Sequence, residues 1–325
     1  MRLALLATAF FALLAARPDA GAQSPSRVAR IGYLDSGSVA GTTFDEAFRD
    51  GLRDLGWVDG QNVVLEVRAA EGRYDRLPAR AAEPVRLKVD VIFASSTPAA
   101  LAAKRATGTI PIVIGHVADP AKSGLVASLV RPGGNVTGWT HQGLEMRVKY
   151  LDIFREAVPG ARRIGVFWNP GNPIHGPSLK LIESTAQALA AELHPIGVGK
   201  PEEIEDAFAA LTGQRSQGLI VFLDGMLLSR GPQIVALAAK NRSPTMYGAT
   251  ELVRAGGLMG YGVNLPQMYR HGASFVDRIL KGARPADLPV EQPTTFELVV
   301  NLRTARALGL TVPPSILARA DELIQ

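Results

Sequence analysis

Apolar and polar positions along the chain switch repeatedly between two periods. Ile31–Leu34 is a short apolar run that empties into Asp35, Ser36, Gly37 and Ser38, as a buried strand leading into a polar loop would. From Thr43 the period lengthens. Phe44, Ala47, Phe48, Gly51, Leu52 and Leu55 recur at three- and four-residue spacing on one helix face, and Gly56 ends the pattern. Asn62–Arg68 alternates through Val63, Leu65 and Val67 and predicts a strand. Asp75–Leu87 reads as an amphipathic helix and Val89–Ala94 as a buried strand. Thr97–Thr107 follows as a helix with Pro98 in its first turn, then Ile110–Gly115 as a strand.

The second half repeats the device. Arg163–Trp168 is a strand that empties into Asn169-Pro170-Gly171-Asn172. Helix and strand patterns then alternate over Gly176–Leu193, His194–Val198, Pro201–Leu211, Gly218–Leu223, Leu227–Lys240 and Thr245–Gly248. Leu258–Val263 is a last strand of this set. Between the halves lie Arg131–Thr140, rich in Gly and Pro, and a helix pattern at Leu144–Ala157. Past Gln267–Lys281, another helix, the tail carries a strand-like Phe296–Val300 and a helix over Asn301–Leu308, with Asn301 as N-cap and Gly309 just beyond. Strict alternation of this kind predicts an α/β protein with two doubly wound parallel-sheet lobes joined by hinge strands. The expected division places 28–140 and 265–290 in the first lobe, and 141–264 and 291–325 in the second.

Composition narrows the class. A chain of 325 residues suffices for two domains. Its 35 Lys and Arg against 30 Asp and Glu are scattered without long like-charge runs, so no footprint for nucleic acid is expected. Arg2, the apolar run Leu3–Ala16 and the small residues Ala20-Gly21-Ala22 read as a signal peptide cleaved after Ala22. The apolar run is shorter than the ~20 residues a bilayer span needs. With no cysteine anywhere, neither a disulfide nor a lipid-modified cysteine is available, so a free periplasmic protein is expected.

In open parallel sheets, ligands sit beyond the carboxyl ends of strands, near helix N-termini. That rule selects Ser36 and Ser38 after the first strand, with Asp35 beside them. It selects Ser95, Ser96 and Thr97 after the third, and His116 and Asp119 after the fourth. In the second half it selects Asn169, Asn172, Asp224 and Tyr247. Hydroxyls and helix-start N–H groups suit a carboxylate, an aspartate suits an ammonium, and aromatic faces add apolar or cation–π contact. On this reading Ser36 and Ser38 donate to the acidic end of a small ligand, while Asp119 or Asp224 faces its ammonium. Singly, each hydroxyl is equally an ordinary cap or turn residue; convergence on one edge of both sheets carries the reading. Trp139 lies at the proposed crossing, Trp168 at a strand end and Tyr261 on the last strand, where each either lines a cleft or packs in the core.

Enzyme signatures are missing. There is no Gly-x-Ser-x-Gly elbow, no Walker loop, and no Gly-x-Gly-x-x-Gly after the first strand. The histidines are not spaced as metal ligands, so no metal and no cofactor is expected. Two alternatives stay open: a cleft hydrolase of glycosides or esters using paired aspartates from Asp35, Asp119 and Asp224, and a sugar-binding receptor of the same fold.

Several ordered motifs carry a family resemblance. They are Arg30-Ile-Gly-Tyr-Leu34 with Gly37-Ser38, Phe48-Arg-Asp-Gly-Leu-Arg-Asp-Leu-Gly56, Gly60-Gln-Asn62 and Tyr74-Asp-Arg-Leu-Pro78. Thr97-Pro-Ala-Ala100, Asp119-Pro120 with Gly124-Leu-Val126, Arg131-Pro-Gly-Gly-Asn-Val-Thr-Gly138 and the tail Phe296–Leu302 through Leu308-Gly-Leu310 extend the match. Together they resemble ABC-transporter substrate-binding proteins of the tryptophan/tyrosine type, over nearly all of the chain past the leader. The resemblance implies a type I periplasmic-binding fold whose two lobes, joined by about three hinge strands, close on a small ligand and present it to a membrane permease; a monomer is expected, and the missing catalytic motifs make it a binder rather than an enzyme. It implies ligands that are aromatic amino acids or related compounds. It carries over Ser36, Ser38, Ser96, Thr97, Asp119, Thr140, Asn169 and Asp224 as cleft-lining positions, while His116 and His141 fall where the family varies.

Overall fold

A computed structural model describes residues 28–38, 41–141 and 144–325; the expected signal segment, Met1–Ala22, lies outside the described residues. The first unit runs β1 (Ala29–Asp35), α1 (Thr43–Asp54), β2 (Val63–Ala69), α2 (Leu77–Arg86), β3 (Val91–Ala94), α3 (Thr97–Ala106), β4 (Ile112–Ala118) and β5 (Val136–His141). Its strands form one parallel sheet in the order β2-β1-β3-β4-β5. Both faces are covered by apolar clusters. Leu77, Ala81, Ala99 and Ala103 meet Leu34, Ile92 and Ile114 on one side, and Phe48 and Leu52 meet Tyr33, Phe93 and Val113 on the other. Burial on both faces is why these strands read as continuous apolar runs.

The second unit runs α4 (Leu144–Ala157), β6 (Arg163–Trp168), α5 (His175–Ala188), β7 (Glu192–Gly197), α6 (Ile204–Gly213), β8 (Gly218–Val221), α7 (Gly225–Ser229), α8 (Gly231–Lys240), β9 (Thr245–Tyr247), α9 (Glu251–Arg254) and β10 (Met259–Gly262). The chain then recrosses. Helix α10 (Leu265–Leu280) packs on the first unit, where Tyr269, Ala273 and Val276 meet Phe48 and Leu52 of α1. Trp57 Nε1 donates to Asp277 Oδ1 at 2.9 Å and fastens the far end of that contact. A third crossing returns the chain to β11 (Glu297–Asn301), α11 (Leu302–Leu308), α12 (Pro314–Arg319) and β12 (Glu322–Ile324). The second sheet has the order β12-β11-β10-β9-β8-β6-β7, antiparallel only between β10 and β11.

Several boundaries differ from the sequence pattern. The helix expected over Gly176–Leu193 stops at Ala188, because Ala190 takes φ +49° and turns the chain into β7. The helix expected over Leu227–Lys240 is two, broken at Arg230 before Gly231-Pro232, which restarts a helix but cannot continue one. The Gly- and Pro-rich stretch read as a connector contains β5, edge strand of the first sheet. Gly138 makes that strand possible. It sits at φ +130°, and a Cβ there would stand 2.6 Å from the Ile114 amide nitrogen. Opposite it the β4–β5 register shifts between Ile114 and Val117, a bulge that holds Gly115 and His116.

Beside the crossing into α10 lies Glu251, whose two carboxylate oxygens are buried. Burial pushes its carboxyl up to about 7; Arg254 opposes this and Glu297 adds to it. Two outcomes follow. Gly138→Ala should lower the unfolding free energy by ~2–4 kcal/mol, read as a drop in urea midpoint at unchanged slope. For Glu251 the folded chain keeps its proton up to about 7, whereas the unfolded chain releases it near ~4.3. Its contribution to stability therefore falls as pH rises across that window and stays low above it. Glu251→Gln should remove this fall, leaving the variant the more stable by ~2 kcal/mol near pH ~8 and level with wild type near pH ~4 in chemical denaturation.

Candidate functional site

The carboxyl edge of the first sheet is a polar network. Asp35, at the end of β1, accepts Gly37 N–H at 2.5 Å through Oδ1. Its Oδ2 accepts the Ser95 hydroxyl and, at 3.5 Å, the Tyr269 hydroxyl from α10. Burial pushes this carboxyl up, and those donors hold it partly down. Ser96 caps α3 by accepting Ala99 N–H at 3.3 Å, and donates to Ser36 Oγ at 2.8 Å. Thr97 Oγ1 accepts Ala118 N–H at 3.1 Å. These hydroxyls thus tie the exits of β1, β3 and β4 together. His116, on the bulge, is buried with its ring 5.5 Å from that of Tyr269 and 6.5 Å from that of His141.

The facing edge of the second sheet centres on Asp224, the N-cap of α7 and 2% exposed. Oδ1 accepts Asn169 Nδ2 at 3.1 Å, Met226 N–H at 3.0 Å and Leu227 N–H at 3.4 Å. Oδ2 accepts Asn172 Nδ2 at 3.0 Å and, from the other unit, the Tyr74 hydroxyl at 2.8 Å. His175 braces the Asn169 loop: Nδ1 accepts Asn169 N–H at 2.9 Å, so Nε2 carries the proton toward Leu223 O at 3.1 Å. Burial lowers this imidazole to about 4, Arg147 adds to that and Asp224 opposes it. Phe222 lies between two of these groups, with the Arg147 guanidinium 5.2 Å from its ring centroid and the His175 ring edge-on at 5.4 Å. Arg147 is 1% exposed; burial lowers its pKa, while Tyr150 and Asp224 favour its charge.

The two edges touch. Besides Tyr74 on Asp224, Arg73 pairs with Glu202 at 2.6 Å. Gly37 and Gly225 meet backbone to backbone, and a Cβ on Gly225 would collide with Ser36 Oγ. Gly72, at φ +82°, leaves room for Met226, whose Cγ would lie 2.6 Å from a Cβ there. Glycine at these positions lets the edges approach to van der Waals distance.

The structure brings Ser36, Ser95, Ser96, Thr97, His116, Asn169, Asn172 and Asp224 to these facing edges. Others lie elsewhere or are engaged otherwise. Ser38 is exposed. Asp119, at φ +41°, closes a turn by accepting Lys122 N–H at 3.1 Å and pairing with the Lys122 ammonium at 3.1 Å. Thr140 donates to Val117 O at 2.6 Å within the sheet. Trp139 donates to Glu291 Oε2 at 3.2 Å and packs on His271 of α10. Tyr247 lies in the second core among Leu219, Ile234 and Val253, Trp168 packs against that unit's other cluster, and Tyr261 lies beside Phe296. Three participants escaped the sequence reading. Tyr74 follows β2, whose exit the strand-end rule also covers. Arg147 shares the apolar stripe of Tyr150, Leu151 and Phe154, where a charge is the anomaly. Tyr269 reads as ordinary core on α10. Among the described residues no group of three or more His, Cys, Asp or Glu could hold a metal ion, and no helix is long and apolar enough to cross a membrane.

Comparison with known proteins places this architecture. A family model described as ABC transporter substrate binding protein matches residues 40–324. A tyrosine-binding protein of Clostridioides difficile (strain R20291) is 29% identical over 265 residues, 82% of this chain and 76% of that protein. Among solved structures, a conserved domain protein of Vibrio cholerae superposes with a TM-score of 0.83 at 28% identity, covering 91% of this chain and 100% of that one. An ABC domain from Streptococcus pneumonia in complex with L-Trp gives 0.81 at 26% identity, over 91% and 99% of the chains. A ligand-free, open substrate-binding protein from Clostridium difficile gives 0.60 at 26% identity, over 92% and 100%. With two parallel-sheet units facing each other across a polar seam and a match spanning residues 40–324, this chain belongs to the ABC transporter substrate-binding protein family.

Proposed function

We propose that the chain is the exported receptor of an ABC importer, that it captures an aromatic amino acid between its lobes, and that it hands this ligand to a membrane permease as a monomer. The first lobe comprises 28–140 and 265–290, the second 141–264 and 291–325, and the leader is removed after Ala22. The observation that carries the ligand class is the buried Arg147 guanidinium against Phe222, in the field of Asp224 beside the seam. A buried guanidinium suits a carboxylate bidentately, and the buried Asp35 and Asp224 supply the opposite field for an ammonium. The L-Trp complex of one relative and the tyrosine-binding name of another support an aromatic side chain.

Closure is the working step. Tyr74 on Asp224 joins the lobes directly, and the higher TM-score to the L-Trp complex than to the open structure, both 26% identical, supports a closed arrangement. The hydrolase reading is weaker: Asp224 accepts five hydrogen bonds and Asp119 is held by Lys122, so neither is placed as an acid or a base.

Arg147→Met should weaken binding of L-Trp and L-Tyr by ~2–5 kcal/mol in calorimetry; undiminished affinity would place the carboxylate elsewhere. Tyr74→Phe removes one lobe-to-lobe bond and should weaken apparent affinity by ~1–3 kcal/mol through the closed population. Small-angle scattering at a ligand concentration that half-saturates wild type should then show a larger radius than wild type, while the unfolding midpoint without ligand stays close to it.

A further inference from the structure

We propose that His116 is the specificity-determining residue of the interlobe site: its buried ring hydrogen-bonds an N–H or O–H borne by the ligand's aromatic ring, so that Trp or Tyr side chains are favoured over Phe. This rests on the aromatic-amino-acid reading above and refines it.

His116 is 4% exposed, and its Nδ1 is buried with no hydrogen-bond partner. A polar nitrogen left so costs free energy unless something supplies a partner. The β4–β5 register shift at Ile114/Val117 sets this residue on a bulge at the carboxyl edge of the first sheet, a device that re-aims a side chain. The rings of His141 and Tyr269 lie near it at interplanar angles of 23° and 34°. Across the seam the charge it senses is Asp224. Burial, opposed by Asp224, lowers its titration to about 4, and the ring is neutral at physiological pH. A neutral imidazole offers one donor and one acceptor. That matches a neutral indole N–H or phenol O–H, and leaves the carboxylate to Arg147. A site built to hydrogen-bond such a group rejects the ligand lacking it, because the buried nitrogen is then left unpaired.

Calorimetry with L-Trp, L-Tyr and L-Phe on wild type, His116→Phe and His116→Gln tests this. Wild type should bind L-Trp or L-Tyr at least ~10-fold tighter than L-Phe. His116→Phe keeps a ring but no nitrogen, and should bring the better ligand to within ~3-fold of L-Phe, chiefly by weakening the better ligand. His116→Gln keeps a donor and an acceptor and should retain most of the preference. Thermal unfolding without ligand checks that both variants fold, and should His116→Phe not, His116→Leu takes its place with the same expected loss of preference. Equal binding of all three by wild type, a preference that survives His116→Phe, or one lost in His116→Gln would overturn the assignment while leaving an aromatic-amino-acid receptor standing. Binding of none of the three would sink that broader reading together with it.

Discussion

Asp224 is a carboxylate almost wholly removed from water that takes hydrogen bonds from both lobes at once. An isolated buried charge of this kind would cost several kcal/mol; here every approach is filled. Asn169, Asn172 and two amides of α7 satisfy it from its own unit. Tyr74 supplies the remaining donor only when the first unit is against it. The carboxylate is therefore adequately solvated by its own lobe, and made complete by the other. Parting the two edges would take one donor from Asp224, a loss that water can make good.

The fold organises itself around this contact. Parallel strands deliver their strand-to-helix loops to one edge, and the parallel strands of the second sheet deliver theirs to the facing edge. Glycines at 37, 72 and 225 let those edges touch. Three crossings keep the units in register, the third running beside β5 through the paired Gly138–Thr140 and Glu291 backbones. Substituting side chains at the seam would hold the lobes apart even with each sheet intact.

Burial sets the electrostatics in a consistent direction. His116 and His175 are pushed toward neutrality, and Asp35 has its carboxyl raised but is hydrogen-bonded. Arg147, on an aromatic face, is kept beside aspartate charge. The neutral His175 imidazole acts as a hydrogen-bonding group and the guanidinium as the concentrated positive charge. Such an environment strengthens each polar contact because little water screens it.

Much of this was legible in the chain. The change of apolar period fixed the alternation of strands and helices, since residues buried on both faces of a parallel strand must all be apolar. Asn301 as N-cap and Gly309 in the left-handed region were readable because caps depend on local backbone alone. The strand-end rule found Ser36, Ser96, Asn169 and Asp224 for the same reason: topology sends those positions to one edge. What the sequence could not decide was which partner each met. Ser96 and Thr97 turn inward to neighbouring strand exits, and Asp119 turns to Lys122 three residues on. Tyr74 and Asp224 lie 150 positions apart, so no local pattern could pair them. Arg30–Ser38 and Arg163–Asn172 announced two similar edges; only tertiary structure decided that Gly37 rests on Gly225, because contact between lobes is set by where two separate sheets place their loops.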